Sequence, residues 1–128
     1  MLDVLWISIG AVLGANLRYG IARLVGRLTQ VDFPYATLAI NITGSLALGV
    51  FFMWARHRMD LDLRWRLLIA VGFCGGYTTF SSFAWETLDL FQKGRWGAGL
   101  ANMALSNLLG MAAVVAGAYI GDALGRRV

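Results

Sequence analysis

The chain has 128 residues, of which 59% are apolar and only 14% are charged. A soluble domain normally has about 25% charged residues, so this composition excludes an ordinary soluble fold and indicates a single membrane domain. The net charge of +4 does not indicate a nucleic-acid partner, because the arginines flank the apolar segments, where they suit lipid headgroups.

Four apolar segments are long enough to cross the membrane as helices, since about 20 helical residues span roughly 30 Å of hydrocarbon. They cover residues 4–25, 35–55, 67–91 and 96–120, and short charged connections join them. We therefore predict that residues 1–128 form one all-α, multi-pass transmembrane domain. The first segment is not expected to be a cleavable signal peptide, because it begins with Asp3 rather than a basic region and three further spans follow.

The first span carries a charged residue, Arg18, at least one turn inside its end, and this long side chain can reach outward to the interface. The span also has the first of three glycine pairs at a spacing that lets helices approach closely. These pairs are Gly10/Gly14, Gly72/Gly76 and Gly117/Gly121. The spacing leaves open whether they pack helices of one subunit or of two.

The second span has an asparagine, Asn41, near its centre, and Thr37 and Ser45 share its helical face. The amide of Asn41 provides two N–H donors. Polar groups of this kind either hydrogen-bond to neighbouring helices or line a path for a solute, and the sequence leaves both interpretations open. A second polar patch lies in the fourth span and consists of Asn102, Ser106 and Asn107.

The third span contains the unusual segment GFCGGYTTFSSFAWE, at residues 72–86. Each glycine costs about 1 kcal/mol relative to alanine inside a helix, so we predict a break in this helix near residues 75–79. The freed carbonyls of a broken helix can hold a cation. A glycine kink without any ligand is the alternative.

After the predicted break, Phe80 and Phe83 share a helix face, and Ser81 and Ser82 lie between them. The edge of a phenyl ring is electropositive, so two edges could contact a small anion weakly enough to let it leave again; ordinary core packing is the alternative. Glu86 follows. An ionisable group within the membrane indicates a functional site, whereas a position at the interface would need no such role.

The basic residues near the span ends are almost evenly divided between the two sides. Six lie on the side of the termini, and four or five lie on the opposite side. Because orientation follows a clear excess of Lys and Arg on one side, the chain could insert both ways, or it could have a weak preference for cytoplasmic termini. Four spans cannot enclose a pore by themselves, so a homo-oligomer is expected.

The sequence carries no enzyme motif that we recognise. It has no Walker loop and no HExxH segment, and its single histidine, His57, lies in a charged loop without metal-ligand spacing. The single cysteine, Cys74, excludes an internal disulfide. We therefore predict that the protein is not an enzyme.

Residues 72–83, GFCGGYTTFSSF, resemble the signature of the Fluc family of fluoride channels, also called CrcB proteins, at nearly every position. Four other segments are similar to family segments in the same order: LRYG, TLAIN, KGRWGAGLAN and NLLG. The resemblance therefore covers most of the chain.

This resemblance implies an antiparallel, dual-topology homodimer in the bacterial inner membrane, which exports fluoride passively through two pores. A structural sodium ion would sit where the broken third helices cross. By the same resemblance, backbone carbonyls of Gly75 and Thr78 would hold the sodium ion. The fluoride path would have an aromatic box of Phe80 and Phe83, a donor at Asn41 and a polar track that includes Ser81 and Ser82. Glu86 would lie near a pore mouth, and Arg18 would lie near the aqueous vestibule.

The chain departs from the family pattern in a few places. Ala36 stands where a glycine is common, and Met111 and Val115 stand where the family commonly has Ser and Thr after NLLG. If that Thr belongs to the polar track, the track is shortened here, and Ser106 is the candidate replacement. These departures affect the expected conduction rate more than the expected selectivity.

Two other functions fit a small four-span protein. Small multidrug transporters also have four spans and dual topology, but they depend on an acidic residue in the first span. Here that span carries Arg18 and has no acidic residue within its core, and Glu86 lies in the third span. A structural membrane subunit without transport of its own is the second alternative, and it predicts no flux from the purified protein.

Overall fold

The computed structural model describes residues 2–29 and 31–127, and within these residues every regular element is a helix. Helix α1 covers Leu2–Leu28 and α2 covers Tyr35–Arg56. Helix α3 covers residues 63–77, and its middle part, Leu67–Cys74, is a π-helix. Helix α4 covers Phe80–Gln92, and α5 covers Trp96–Gly125. Together these ranges cover the predicted spans except for residues 78 and 79, and they extend beyond most of the predicted ends.

Four helical stretches are long and apolar enough to cross a membrane: Leu2–Leu28, Tyr35–Arg56, Leu63–Gln92 and Trp96–Gly125. The prediction of an all-α membrane protein with four spans is therefore confirmed. The order of the connections places the start of α1, the loop between α2 and α3 and the end of α5 at one end of the bundle. We call this the terminal end.

Helix α1 packs against α3 through glycines on both helices. A Cβ atom added to Gly10 would overlap the carbonyl oxygen of Leu68, and one added to Gly72 would meet the carbonyl oxygen of Ile7. Gly14 and Gly76 continue the same close approach. The two backbones therefore lie too close for any larger side chain between them.

Helix α2 packs against α5 in the same way. Gly117 lies against the carbonyl oxygen of Leu46, Gly121 lies against that of Val50, and Gly49 lies against that of Val114. All three glycine pairs that the sequence left open thus pack helices of one chain.

Large apolar side chains cover the outside of this bundle, and few are enclosed. Ile40 is 1% exposed, whereas Val12, Leu108 and Met111 are each at least 60% exposed. A water-soluble protein of this size would hide such side chains, but lipid tails are as apolar as leucine. The surface therefore suits contact with lipid or with another copy of the chain.

The connections at the two ends of the bundle carry the ion pairs. At the terminal end, a hydrogen bond from the Arg64 side chain lowers the pKa of Asp62 below its usual value. At the opposite end, Lys93 lies 2.7 Å from Asp89 and 3.9 Å from Asp32. The hydrogen bond to Asp89 raises the pKa of Lys93. The pairs of Asp62 with Arg64 and of Asp89 with Lys93 are local, whereas the contact between Lys93 and Asp32 joins two separate connections.

Candidate functional site

Two residues with extended backbone, Thr78 and Thr79, separate α3 from α4. We call these two residues the interruption. Thr78 has φ −78° and ψ 160°, and Thr79 has φ −152° and ψ 117°. The amide of Thr78 still donates to the carbonyl of Cys74 at 3.0 Å, and its hydroxyl donates to the same oxygen at 2.9 Å. The last carbonyls of a helix lack partners within the helix, so the carbonyl of Gly75 is an acceptor that the amide of Thr79 does not reach.

Asn41 of α2 binds the peptide groups of Thr79 with both ends of its amide. Its Nδ2 donates to the carbonyl oxygen of Thr79 at 2.9 Å, and the Thr79 amide donates to its Oδ1 at 2.8 Å. Thr79 is only 8% exposed, so these bonds replace the helical bonds that extended backbone cannot make. The second N–H of Nδ2 makes no hydrogen bond with any residue that the structure describes, and it remains able to donate to a ligand.

The hydroxyl of Thr79 caps α4 and lies within hydrogen-bond distance of two serine hydroxyls. It accepts a hydrogen bond from the amide of Ser82 at 3.1 Å. It also lies 3.0 Å from the hydroxyl of Ser82 and 3.3 Å from that of Ser81. Three hydroxyl groups therefore meet at the N-terminus of a 13-residue helix, where the helix dipole has its positive end.

The two phenylalanines of α4 lie side by side. Their ring centroids are 5.5 Å apart and their planes are inclined by 51°. Phe80 is 78% exposed, and it lines a concavity of about 310 Å³ together with Asn41, Ser45, Gly75, Thr78 and Thr79. An apolar ring this exposed beside a polar backbone is not ordinary core packing of the single chain.

Arg18 of α1 reaches the same place from the other side. Its Nη1 lies 3.5 Å from the carbonyl oxygen of Thr78, and the residue is partly buried. The side chain therefore extends along the bundle toward the interruption. Its positive charge lies beside one of the two carbonyls to which the family resemblance assigns sodium.

Glu86 lies apart from the interruption, further along α4. One carboxylate oxygen accepts a hydrogen bond from the hydroxyl of Thr37 at 2.7 Å. The other oxygen is buried and has no partner among the described residues. Glu86 lines a different concavity, of about 200 Å³, together with Asp32 and Asp89 near the end opposite the termini.

Ser106 also lies away from the interruption. Its hydroxyl lies 3.4 Å from the side-chain oxygen of Asn102, and the amide of Asn102 donates to the hydroxyl of Thr87 at 2.9 Å. Asn102 is 1% exposed, so these groups join α5 to α4. Met111 and Val115 are 66% and 48% exposed on the outside of α5.

The structure thus brings together most of the residues singled out from the sequence. Those at the interruption are Arg18, Asn41, Gly75, Thr78, Phe80, Ser81, Ser82 and Phe83, whereas Glu86 and Ser106 lie in separate polar clusters. The buried Tyr77, whose hydroxyl lies 2.8 Å from that of Thr43, was not predicted from the sequence. Nothing in the local sequence signals this long-range pair.

Comparison with known proteins agrees with the motifs. The family described as CrcB-like protein, Camphor Resistance (CrcB), matches residues 5–118. A relative from Koribacter versatilis (strain Ellin345), named fluoride-specific ion channel FluC, is 48% identical over 119 residues, covering 92% of this chain and 94% of the relative. A relative of the same name from Coxiella burnetii (strain Dugway 5J108-111) is 42% identical over 129 residues, covering 99% of this chain and 100% of the relative.

A third relative with that name, from Rhizobium johnstonii (strain DSM 114642 / LMG 32736 / 3841), is 38% identical over 124 residues, covering 97% of this chain and 99% of the relative. These matches confirm the resemblance seen in residues 72–83. The chain is therefore a multi-pass membrane protein that belongs to the CrcB-like family.

Proposed function

We propose that the protein is a fluoride-selective passive channel that exports fluoride across the bacterial plasma membrane. Relatives that cover nearly the whole chain are named fluoride-specific ion channels, and a channel of this kind is not an enzyme. The observation that carries the proposal is the interruption at Thr78 and Thr79, which places polar backbone beside an exposed aromatic ring within an apolar span.

We further propose that two copies assemble as an antiparallel homodimer that crosses at this interruption. Unpaired backbone groups facing lipid cost several kcal/mol each, so irregular backbone is tolerated only where protein or a water-filled path covers it. In the single chain, Gly75 and Phe80 lie exposed at this point. The nearly even division of basic residues supports insertion in both orientations.

The donor set at the interruption fits a sodium ion. The Thr79 amide is bonded to Asn41, so it is not available to the carbonyl of Gly75, which would accept it in a continuous helix. The carbonyl of Thr78 has Arg18 at 3.5 Å on one side, but a carbonyl oxygen has two lone pairs. Gly75 and Thr78 would hold the ion, which supplies positive charge to the joined carbonyls of two subunits.

The fluoride path is proposed to follow partly positive groups rather than full charges. Several hydrogen-bond donors surround Thr79: the remaining N–H of Asn41, the hydroxyls of Ser81 and Ser82, and the N-terminus of α4. The tilted rings of Phe80 and Phe83 add electropositive edges. Such donors can replace water around a small anion without holding it as tightly as an arginine would.

The two separate polar clusters are proposed as the outer parts of this path. Glu86 with Thr37 lies toward the end opposite the termini, and Ser106 lies in a chain with Asn102 and Thr87. An antiparallel dimer would have two copies of each cluster and therefore two pores. Met111 and Val115 have apolar side chains and add no polar group to the path, so Ser106 is the proposed substitute on α5.

The proposal is tested with purified protein in liposomes loaded with potassium fluoride or potassium chloride. Valinomycin is added to carry potassium, and anion efflux is followed with ion-selective electrodes. We expect fast fluoride efflux and no chloride efflux above that of protein-free liposomes. Efflux of neither anion from well-folded dimers would contradict the channel, and it would direct attention to proton-coupled transport through Glu86.

A further inference from the structure

A second polar concavity lies at the terminal end, far from the interruption along the bundle. It has a volume of about 510 Å³ and lies where α2 ends and the following loop begins. Its lining consists of Trp54, His57, Arg58, Met59, Asp60 and Leu61. None of these residues belongs to the fluoride path proposed above.

Arg58 provides a fixed positive charge in this concavity. Its guanidinium carbon lies 5.0 Å from the ring centroid of Trp54, and its Nε is buried without a hydrogen-bond partner among the described residues. Two basic side chains at the same end, His57 and Arg126, each lie 2.8 Å from Asp122. Asp60 is the one carboxylate in the lining. The guanidinium of Arg58 is thus held against Trp54 and forms no ion pair with a described carboxylate, so its outer N–H groups can bind an anion.

An apolar groove continues from this concavity toward the middle of the membrane. Its volume is about 310 Å³, and its lining consists of Phe51, Trp54, Leu61, Trp65 and Ile69. Trp54 and Leu61 line both spaces. The adjoining Met59 is 99% exposed and Trp65 is 52% exposed. These apolar side chains indicate that the loop lies at the level of the lipid, not in bulk water.

We propose that this joined space binds one anionic phospholipid, with its phosphate at Arg58 and part of an acyl chain in the groove. Charge complementarity favours an anionic lipid: the terminal end carries Arg56, Arg58, Arg64, Arg66, Arg126 and Arg127, of which Arg64 pairs with Asp62 and Arg126 with Asp122. Basic groups beside a span attract anionic headgroups. A polar space continuous with an apolar one fits an amphipathic ligand and does not fit free phosphate.

The test measures thermal unfolding of the delipidated full chain in detergent, titrated with dioleoyl phosphatidylglycerol or with dioleoyl phosphatidylcholine. We expect stabilisation by the anionic lipid at lower concentration. Hydrogen bonds to charged groups are stronger than those between neutral groups. Arg58→Gln should therefore raise, by about tenfold, the phosphatidylglycerol concentration that gives half of the full stabilisation. The matched control, Arg127→Gln, removes the same charge from an exposed position at the same end and should leave the titration unchanged.

A second variant tests the groove. Trp65→Ala should weaken the response to phosphatidylglycerol, and inorganic phosphate should stabilise no variant. Equal effects of Arg58→Gln and Arg127→Gln would overturn the site in favour of a diffuse basic surface. Stabilisation by inorganic phosphate alone would overturn the role of the groove. If Trp65→Ala left the lipid response intact but dissociated the dimer, the groove would be a contact between two copies instead.

Discussion

Substitution of Asn41 by aspartate separates the architectural role of this residue from its role toward the anion. The structure gives its side chain two bonds to Thr79, and aspartate keeps only the acceptor. The carbonyl oxygen of Thr79, now 2.9 Å from a donor, would face a carboxylate oxygen. Leaving a buried carbonyl without a donor costs about 1–3 kcal/mol, so we expect the variant to be less stable by that amount.

The effect on conduction should be larger than the effect on stability. A unit negative charge about 4 Å from a passing anion costs about 4 kcal/mol at an effective dielectric constant of 20. At about 1.4 kcal/mol per factor of ten, this corresponds to a rate about a thousandfold lower. Repulsion of the anion therefore outweighs the lost hydrogen bond, and Asn41→Asp should retain a folded dimer that conducts almost no fluoride.

The assay combines thermal unfolding in detergent with fluoride efflux from liposomes. The control is Asn16→Asp, which makes the same chemical change at an exposed asparagine whose amide donates only to Val12 in its own helix. We expect nearly normal efflux from the control. Normal efflux and normal stability in Asn41→Asp would refute the reasoning, because Asn41 would then neither hold the interruption nor lie on the path.

Phe80→Ile should lower fluoride efflux and leave the dimer intact, because the exposed ring contributes little to the single-chain core; unchanged efflux would remove the ring from the mechanism. Gly121→Ala should destabilise the protein by about 1–3 kcal/mol because its Cβ would overlap the Val50 carbonyl. Gly26→Ala, with open space around it, should change stability by no more than about 1 kcal/mol. A smaller loss in Gly121→Ala than in this control would contradict the packing. Replacing sodium with N-methyl-D-glucamine should lower the unfolding temperature of the dimer, and identical melting in both buffers would argue against the ion.

The general architecture could be predicted from the sequence because it follows from local composition. Four apolar segments of sufficient length predict four spans, and the structure has them. The π-helical part of α3, residues 67–74, could not be predicted, because the run LLIAVGFC is uniformly apolar and carries no local signal for a wider turn. The third span was also predicted to begin too late, at residue 67, because the charged residues Arg64 and Arg66 were assigned to the connection, whereas the helix begins at Leu63.

The site was harder to predict because its parts meet through long-range contacts. Asn41 and Thr79 are 38 positions apart, and local periodicity carries no information on which helices become neighbours. The glycine spacing predicted close packing, but Gly10 and Gly72 needed the structure to show that they pack within one chain. Asn102 illustrates the same limit: its spacing from Ser106 on one helix was visible in the sequence, whereas its hydrogen bond to Thr87 depends on how α5 packs against α4.

A planar bilayer recording tests most directly whether the dimer conducts fluoride and excludes chloride. With fluoride on one side and chloride on the other, the voltage at which the current reverses reports which anion carries it. A selective fluoride channel predicts reversal only at an extreme voltage, because chloride carries almost no current in the opposite direction. Reversal near zero would show that both anions pass, and it would contradict the proposed role of the site at Thr78 and Thr79.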